Sequence, residues 1–182
     1  MALLPPKKGT ILPVLLQRKS PNKSSRNKSE TWLVVVHSTE GAYPGACSWL
    51  CNPKAQASAH IVLREDGLQA TQLVPLAEKA WHVAAYNEFS IGLECAGFAG
   101  KLPDAQLRVA ARVVADLLKS HGLPARYVGG NVSKPGFTFH QDLGTAGGGH
   151  HDPGLTGLRK WQFVALVKWE FVRGGFRPVW AL

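Results

Sequence analysis

Short apolar runs alternate with polar turns along much of the chain, a pattern that is typical of buried β-strands. The run TWLVVVHSTE, residues 31–40, is rich in valine, and FSIGLECAG, residues 89–97, is a second run of this kind. In ASAHIVLREDGLQATQLVP, residues 57–75, two β-type runs meet at Asp66-Gly67, which predicts a hairpin. These segments together predict a β-sheet.

Two further segments have the spacing of an amphipathic helix. Apolar residues recur every three or four positions in PDAQLRVAARVVADLLKSHG, residues 103–122, and Gly122 is a typical helix stop. GLTGLRKWQFVALVKWEFVR, residues 154–173, has the same pattern, while residues 40–57 suit a loop with a short helix. Because strands and helices alternate, we predict the α/β class, with the elements arranged around one sheet.

Composition indicates one globular domain and a basic surface. The chain has 182 residues, of which 45% are hydrophobic and 18% charged. Residues 1–30 are rich in Pro, Lys, Ser and Asn, which predicts a basic N-terminal extension or linker before a domain at residues 31–182. The net charge of +9 suits an anionic partner, either nucleic acid, an acidic membrane or an acidic cell-wall polymer, but a solvated basic surface would look the same.

Cysteine content argues against a disulfide-rich protein, and hydropathy argues against a membrane-spanning one. Three cysteines make no disulfide framework, and Cys47 and Cys51, four residues apart, suit buried apolar positions on one helix face; the sequence leaves their pairing open. No apolar run approaches the ~18 residues of a membrane span. The start of the chain lacks the pattern of a signal peptide, so we expect synthesis in the cytoplasm without one.

Several polar residues stand at positions that suit a reactive site. His37 ends the valine-rich run, His140 follows the short β-type run FTF, and Asp152 precedes Pro-Gly. Two histidines and a carboxylate would hold a catalytic zinc and leave a fourth position for water, although a lone histidine at a strand end is more often a hydrogen-bonded or surface residue. An alternative is an iron site of two histidines and one carboxylate, made by His140, Asp142 and a third ligand from the adjacent pair at residues 150–151.

Glu94 is an acid inside an otherwise apolar run. Glutamate is seldom buried without a partner or a function. It therefore lies either on an exposed face of its strand or in a site where its surroundings raise its pKa and make it a general base.

Five segments occur in an order that matches one family: VVVHSTEG, SAHIVLREDG, AWHVAAYNEFSIGLECAG, FTFHQDLG and HHDPG. Over residues 32–170 the chain resembles the type-2 N-acetylmuramoyl-L-alanine amidases, which include phage endolysins and share a fold with peptidoglycan-recognition proteins. The resemblance implies a single domain with a central mixed β-sheet flanked by helices, and it makes residues 31–182 a zinc amidase catalytic domain.

The resemblance also implies roles for individual residues. His37, His140 and Asp152 match the zinc ligands, and Glu94 matches the general base of bacterial members. His150 stands where the family usually has a lysine that stabilises the oxyanion; histidine changes charge near neutrality whereas lysine does not. His151 is expected to point away from the metal. The substrate groove would be lined by Trp81, His82 and Asn87.

The implied function is zinc-dependent hydrolysis of the amide between N-acetylmuramic acid and L-alanine in peptidoglycan. We expect a bacteriolytic phage endolysin, a monomer that acts at the cell wall after release through a pore made by another protein, without nucleic acid as a partner. The alternatives are a peptidoglycan-binding module without catalysis, a cytosolic amidase that recycles wall fragments, and a zinc peptidase that cuts within the stem peptide.

Overall fold

The structure is a computed structural model that describes residues 13–27 and 30–173. The strands are β1 (Val14–Gln17), β2 (Lys23–Ser25), β3 (Leu33–Ser38), β4 (Ile61–Leu63), β5 (Gln69–Gln72), β6 (Glu78–Ala80), β7 (Ser90–Cys95) and β8 (Gly136–Phe139). The α-helices are α1 (Tyr43–Leu50), α2 (Asp104–Ser120) and α3 (Gly157–Arg173). Short 3-10 helices span Pro53–Ala55, Ala84–Phe89, His140–Asp142 and Thr145–Gly147.

Six strands form the central sheet in the order β1-β5-β4-β7-β3-β8, and β2 pairs with β6 in a separate two-stranded sheet. β3 pairs in parallel with both β7 and β8, whereas β4 and β5 form an antiparallel hairpin around Asp66-Gly67. The central sheet is therefore mixed, and the predicted hairpin is confirmed. All six residues of β3 are buried, as its run of valines predicts for an interior strand.

The two faces of the central sheet have different chemistry because successive side chains of a strand point to opposite faces. Val34, Val36 and Leu93 belong to one apolar core with residues of α2 and α3. The alternate positions of β3 and β7 include His37 and Glu94, which are direct neighbours in the parallel register. The polar residues inside these apolar runs thus share the face opposite the helices.

The two predicted amphipathic helices form one layer on the apolar face. α2 ends at Ser120, two residues before Gly122, whose φ of +65° is a conformation that glycine adopts readily. Arg112 of α2 is buried and bonds Asp116 on its own helix and Glu170 of α3, each at 3.1 Å. This ion-pair network joins the two helices.

Residues 14–27 are part of the fold, which corrects the prediction of a basic extension or linker over residues 1–30. β1 pairs in parallel with β5, β2 pairs antiparallel with β6, and Ser20 and Asn22 between these strands are buried. The prediction was wrong here because composition does not report pairing with strands some fifty residues later in the chain. The rest of the predicted extension, residues 1–12, lies outside the described residues, as do residues 174–182 of the predicted domain.

Arg26 attaches this N-terminal segment to the loop before β7. Its guanidinium donates to the backbone carbonyls of Glu88 at 2.5 Å and Ser90 at 2.8 Å, and reaches those of Leu76 at 3.4 Å and Asn87 at 3.3 Å. Burial lowers the pKa of Arg26, against the opposing effect of the Glu88 carboxylate. Arg26 therefore fixes the loop that precedes β7, the strand that carries Glu94.

Only Cys47 has the position expected for both cysteines of the pair, because Cys51 lies just past the end of α1 and is half-buried. Cys47, Cys51 and Cys95 are free thiols, so Cys47 and Cys51 are not paired. Cys47 lies on α1, within the region predicted to hold a short helix, and is buried. Among the described residues, none of the helices combines the length and the apolar character that crossing a membrane requires.

Candidate active site

Three strand ends and one loop bring the site together. β3, β7 and β8 are parallel, so their carboxyl ends meet at one edge of the sheet, which is where β3 carries His37, β7 carries Glu94 and His140 follows β8. Asp152 reaches the same place from the loop before α3. The sequence positions of His37, Glu94 and His140 explain their proximity, because each lies at or just after the carboxyl end of a buried apolar strand.

His37, His140 and Asp152 form a group whose ligand atoms all lie within 4.8 Å of one another. The two Nδ1 atoms of the histidines are 3.0 Å apart. The Asp152 carboxylate places Oδ2 3.2 Å from Nδ1 of His37 and Oδ1 2.9 Å from Nδ1 of His140. Two imidazole nitrogens and one carboxylate aimed at a common point are a donor set that could hold a divalent metal.

Backbone groups hold two of these side chains in place. Nε2 of His140 donates to the carbonyl of Gly147 at 2.8 Å, and the amide of Ser38 donates to Oδ2 of Asp152 at 3.2 Å. Gly148, with a φ of +109°, follows at the end of this turn. The glycine-rich segment therefore places a backbone carbonyl against the back of the His140 ring.

The pKa shifts of Asp152 and His37 favour the forms that bind a metal, whereas the shift of His140 favours its protonated form in the metal-free protein. Burial raises the pKa of Asp152, but its close contacts with the imidazoles of His140 and His37 outweigh burial and hold that pKa well below its usual range. Burial lowers the pKa of His37 despite its contact with Asp152. Burial also lowers the pKa of His140, but the bond to Asp152 and its charge reverse this and leave the pKa raised.

Glu94 lies beside the group and has an unpaired oxygen. Its Oε1 is 3.9 Å from Nδ1 of His37, and Oε2 is buried with no hydrogen-bond partner among the described residues. Burial first, then the charges of Asp152 and Glu40, raise its pKa well above that of an ordinary glutamate. Of the two interpretations that the sequence left open, the structure supports the buried carboxyl with a raised pKa.

His150 and His151 are not equivalent in the structure. The ring of His150 stacks on His140 with centroids 4.7 Å apart, and its Nδ1 is 4.0 Å from Oδ1 of Asp152. His150 lines the cavity over the site, while its side chain is 63% exposed. His151 is exposed and does not line this cavity, in agreement with the expectation that it points away.

Asp142 is bound elsewhere, which removes the alternative iron site. Its Oδ2 accepts from the Tyr127 hydroxyl at 2.8 Å and its Oδ1 pairs with Lys160 at 2.9 Å. It is not part of the convergent group around His37. Its contacts instead connect the turn after β8 to α3.

A cavity of about 290 Å³ opens over the group. Besides the convergent residues, its lining includes Trp49 and Leu50 of α1, Ser58, and Trp81. Trp49 is 55% exposed, so a bound molecule could cover an aromatic surface there. The cavity has the mixed polar and apolar lining that is typical of a ligand site.

The three residues predicted to line a groove have different positions. Trp81 lines the cavity, and its indole N–H donates to Ser24 Oγ at 3.1 Å. His82 reaches the cavity, but its Nδ1 is 3.0 Å from Nε2 of His37. Asn87 does not line this cavity; its Oδ1 accepts from the amides of His82 and Val83 at 2.8 and 2.7 Å. The Asn87 side chain therefore fixes a loop, and its place in a substrate groove stays a prediction.

Sequence reasoning missed Gly92 and Ser90 as parts of the site. A Cβ added at Gly92 would lie 2.6 Å from Nδ1 of His82, so glycine leaves the space that this imidazole fills. A glycine in the middle of a strand often indicates that another group packs closely against the backbone. The glycine of the segment SIGLE could therefore have indicated this contact from the sequence. The contact of Ser90 with His82 has no comparable sequence signal.

Comparison with known proteins adds the family. The family model described as N-acetylmuramoyl-L-alanine amidase matches residues 27–155. The chain belongs to this amidase family. Its resemblance to the type-2 amidases is thereby confirmed, and all five ordered segments fall within the match.

One characterised relative and several solved structures agree with the family. The chain is 35% identical over 107 residues to N-acetylmuramoyl-L-alanine amidase A of Achromobacter lyticus. This match covers 57% of this chain and 60% of that protein. The match thus spans less than two thirds of the relative's length. Staphylococcus aureus hydrolase AmiA has a TM-score of 0.71 at 17% identity, with 92% of this chain and 89% of that chain covered. AmpD has a TM-score of 0.61 at 25% identity, with 88% and 98% covered.

The structural likeness confirms the predicted fold class. The central mixed sheet with helices against it is the architecture that these amidase structures share with the chain.

Proposed function

We propose that this protein is a zinc-dependent N-acetylmuramoyl-L-alanine amidase, which hydrolyses the amide between the lactyl group of N-acetylmuramic acid and the first L-alanine of the peptidoglycan stem peptide. The observation that carries the proposal is the convergence of His37, His140 and Asp152 beside Glu94, in a chain of this amidase family.

The donor set fits zinc. Two neutral imidazole nitrogens and a carboxylate are common ligands of catalytic Zn²⁺, which keeps a further position for water or substrate. The candidate ligand atoms already face one another, and Glu94 lies next to them with a buried oxygen that has no partner in the described part of the chain. Bound Zn²⁺ would polarise the scissile carbonyl and lower the pKa of water towards ~7.

Glu94 is the proton carrier in this proposal. Its raised pKa lets the carboxylate take a proton from the attacking water and return it to the leaving amine near neutral pH. A zinc ligand oxygen lies ~2.0–2.2 Å from the metal. Because Glu94 Oε1 is 3.9 Å from the nearest ligand nitrogen and lies outside the convergent group, we assign it to proton transfer instead of ligation.

His150 is the second group that we propose acts on the reacting atoms. It lines the cavity beside the ligands, and its exposed ring nitrogens are available to a substrate. A protonated imidazole there would donate to the carbonyl oxygen as negative charge develops on it. Histidine thereby takes the role that lysine has in most relatives.

The substrate and the site of action are also part of the proposal. The cavity mouth offers the exposed ring of Trp49, and the chain has a net charge of +9, which suits an anionic wall polymer. We propose a monomeric endolysin that acts on intact peptidoglycan at the cell wall. The second candidate is an amidase that recycles soluble fragments; comparing release from sacculi with release from soluble muropeptides separates the two.

A non-catalytic binding module is disfavoured by the intact donor set. Binding to a wall polymer requires neither convergent imidazoles nor a buried carboxyl with a raised pKa, and burying Glu94 costs free energy. A stem-peptide zinc peptidase would use the same chemistry, so the bond that is cleaved must be identified directly.

The test is zinc content and product release for matched variants. His37→Ala and Asp152→Ala should lose zinc and activity, whereas Glu94→Gln should keep zinc and lose about 10²–10⁴-fold in rate, the usual contribution of acid–base catalysis. His121→Ala, at the end of α2 and outside the site, is the histidine control and should match wild type. Full activity of Glu94→Gln, or full zinc content of both ligand variants, would overturn the assignment.

A further inference from the structure

A chain of hydrogen bonds extends from the zinc site into the protein behind it. Ser90 Oγ donates to the carbonyl of Tyr86 at 2.7 Å, and Nε2 of His82 lies 3.1 Å from the same Oγ. Nδ1 of His82 is 3.0 Å from Nε2 of His37. The mechanism proposed above does not use His82 or Ser90.

The direction of each bond follows from the first. A carbonyl oxygen only accepts, so the single hydroxyl proton of Ser90 goes to Tyr86. Ser90 Oγ must then accept from Nε2–H of His82, which leaves Nδ1 of a neutral His82 with a lone pair. That lone pair accepts from Nε2–H of His37, so Nδ1 of His37 carries the free lone pair.

We propose that His82 is a positioning residue for the metal centre: it accepts a hydrogen bond from Nε2–H of His37 and so fixes the tautomer whose Nδ1 faces the metal. The inference rests on the zinc site of the proposed function and adds a residue to it. It assigns to His82 a role different from that of a groove residue.

The second ligand histidine has the same arrangement with a different partner. Nε2 of His140 faces the carbonyl of Gly147 at 2.8 Å, so it must be the donor. In the neutral ring that would bind a metal, Nδ1 then has no proton and faces the same point as Asp152. Each ligand histidine is thus held through Nε2 and offers Nδ1. Such outer partners fix ring orientation and increase the basicity of the ligand nitrogen.

The His82 ring is closely packed on the Gly92 side. A Cβ on Gly92 would approach its Nδ1 to 2.6 Å and its Cε1 to 2.9 Å. The rings of His37 and His82 meet edge to face with centroids 5.1 Å apart. Asn87 holds the backbone amide of His82 from the other side at 2.8 Å.

The experiment compares two nearly isosteric replacements. His82→Asn keeps an acceptor oxygen close to the position of Nδ1, whereas His82→Leu removes it. Zinc affinity is measured by competition with a chelator, and the tautomer of His37 is read from its imidazole ¹⁵N shifts in metal-free protein, with thermal unfolding as the check on folding.

We expect the Nε2–H tautomer of His37 in wild type and His82→Asn, and a shift towards Nδ1–H in His82→Leu, where Asp152 becomes the acceptor. Zinc affinity of His82→Leu should fall about 10–100-fold, the usual cost of losing an outer partner, and His82→Asn should stay close to wild type. Gly92→Ala, which displaces the His82 ring, should resemble His82→Leu.

An Nδ1–H tautomer of His37 in metal-free wild type would overturn the proposal, even if His82→Leu failed to fold. Equal loss of zinc affinity in His82→Asn and His82→Leu would also overturn it, because the role would then be packing. Wild-type protein that binds no zinc would contradict the proposed function instead, and the tautomer measurement would still test the hydrogen-bond chain.

Discussion

Replacing Glu94 with glutamine should make the metal-free protein more stable while it removes activity. One buried oxygen of Glu94 has no partner within residues 13–27 and 30–173, and burial raises the pKa of this carboxyl well above that of a glutamate in the unfolded chain. Folding at neutral pH therefore requires either desolvating a charge or taking up a proton. Glutamine has nearly the same shape and neither cost.

The magnitude follows from proton linkage. Below the unfolded pKa of ~4.3 the carboxyl is protonated in both states and costs nothing. Above that value the unfolded chain has lost the proton that the native state keeps, so stability falls by about 1.4 kcal/mol per pH unit until the folded pKa is reached. Glu94→Gln lacks this loss, so its advantage over wild type should grow from pH 5 upwards.

The assay is denaturant unfolding of both metal-free proteins at several pH values between 4 and 8. The difference between their unfolding free energies isolates Glu94, because the other titrating groups are common to both proteins. Parallel curves, with a difference that does not change with pH, would show that Glu94 is solvated and would refute its assignment as a buried base.

Three further outcomes are expected. His150→Ala should lower kcat by about 10²–10³-fold, the usual cost of losing one oxyanion donor, and should leave the zinc content unchanged. The control His151→Ala, at the exposed neighbouring residue, should leave kcat unchanged. Equal effects of the two substitutions on kcat would contradict the assignment of His150. Arg26→Met should reduce the unfolding free energy by about 2–4 kcal/mol, because it leaves backbone carbonyls without a charged donor. The control Arg18→Met, at an exposed position, should reduce the unfolding free energy only slightly. Equal losses in the two variants would show that the contacts of Arg26 contribute nothing to stability. Zinc should raise the thermal unfolding temperature of wild type in a concentration-dependent manner, and an unchanged temperature would count against a native-state metal site.

Much of the fold could be predicted from the sequence because its main elements are locally encoded. The valine-rich run, the Asp66-Gly67 turn and the two amphipathic helices each contain their own period and stop signals. β1 and β2 could not be recognised in the same way. They are short and lie in a basic segment, and each forms only by pairing with a strand about fifty residues later.

The candidate site was also only partly predictable from the sequence. His37 and His140 lie at the ends of apolar runs and Asp152 precedes Pro-Gly, so the order of these short motifs along the chain indicated them through the family resemblance. The contacts behind them depend on which loops fold back: Asn87 turned inwards to hold a loop, and His82 turned towards His37. A sequence pattern does not specify those side-chain directions.

The central claim is tested most directly by identifying the bond that the zinc-loaded protein cleaves in purified peptidoglycan. Mass spectrometry of the digest, with labelling of new amino termini, should find stem peptides that begin with free L-alanine, and a zinc chelator should abolish their release. Cleavage only within the stem peptide, release that persists after zinc is removed, or binding without cleavage would contradict the account.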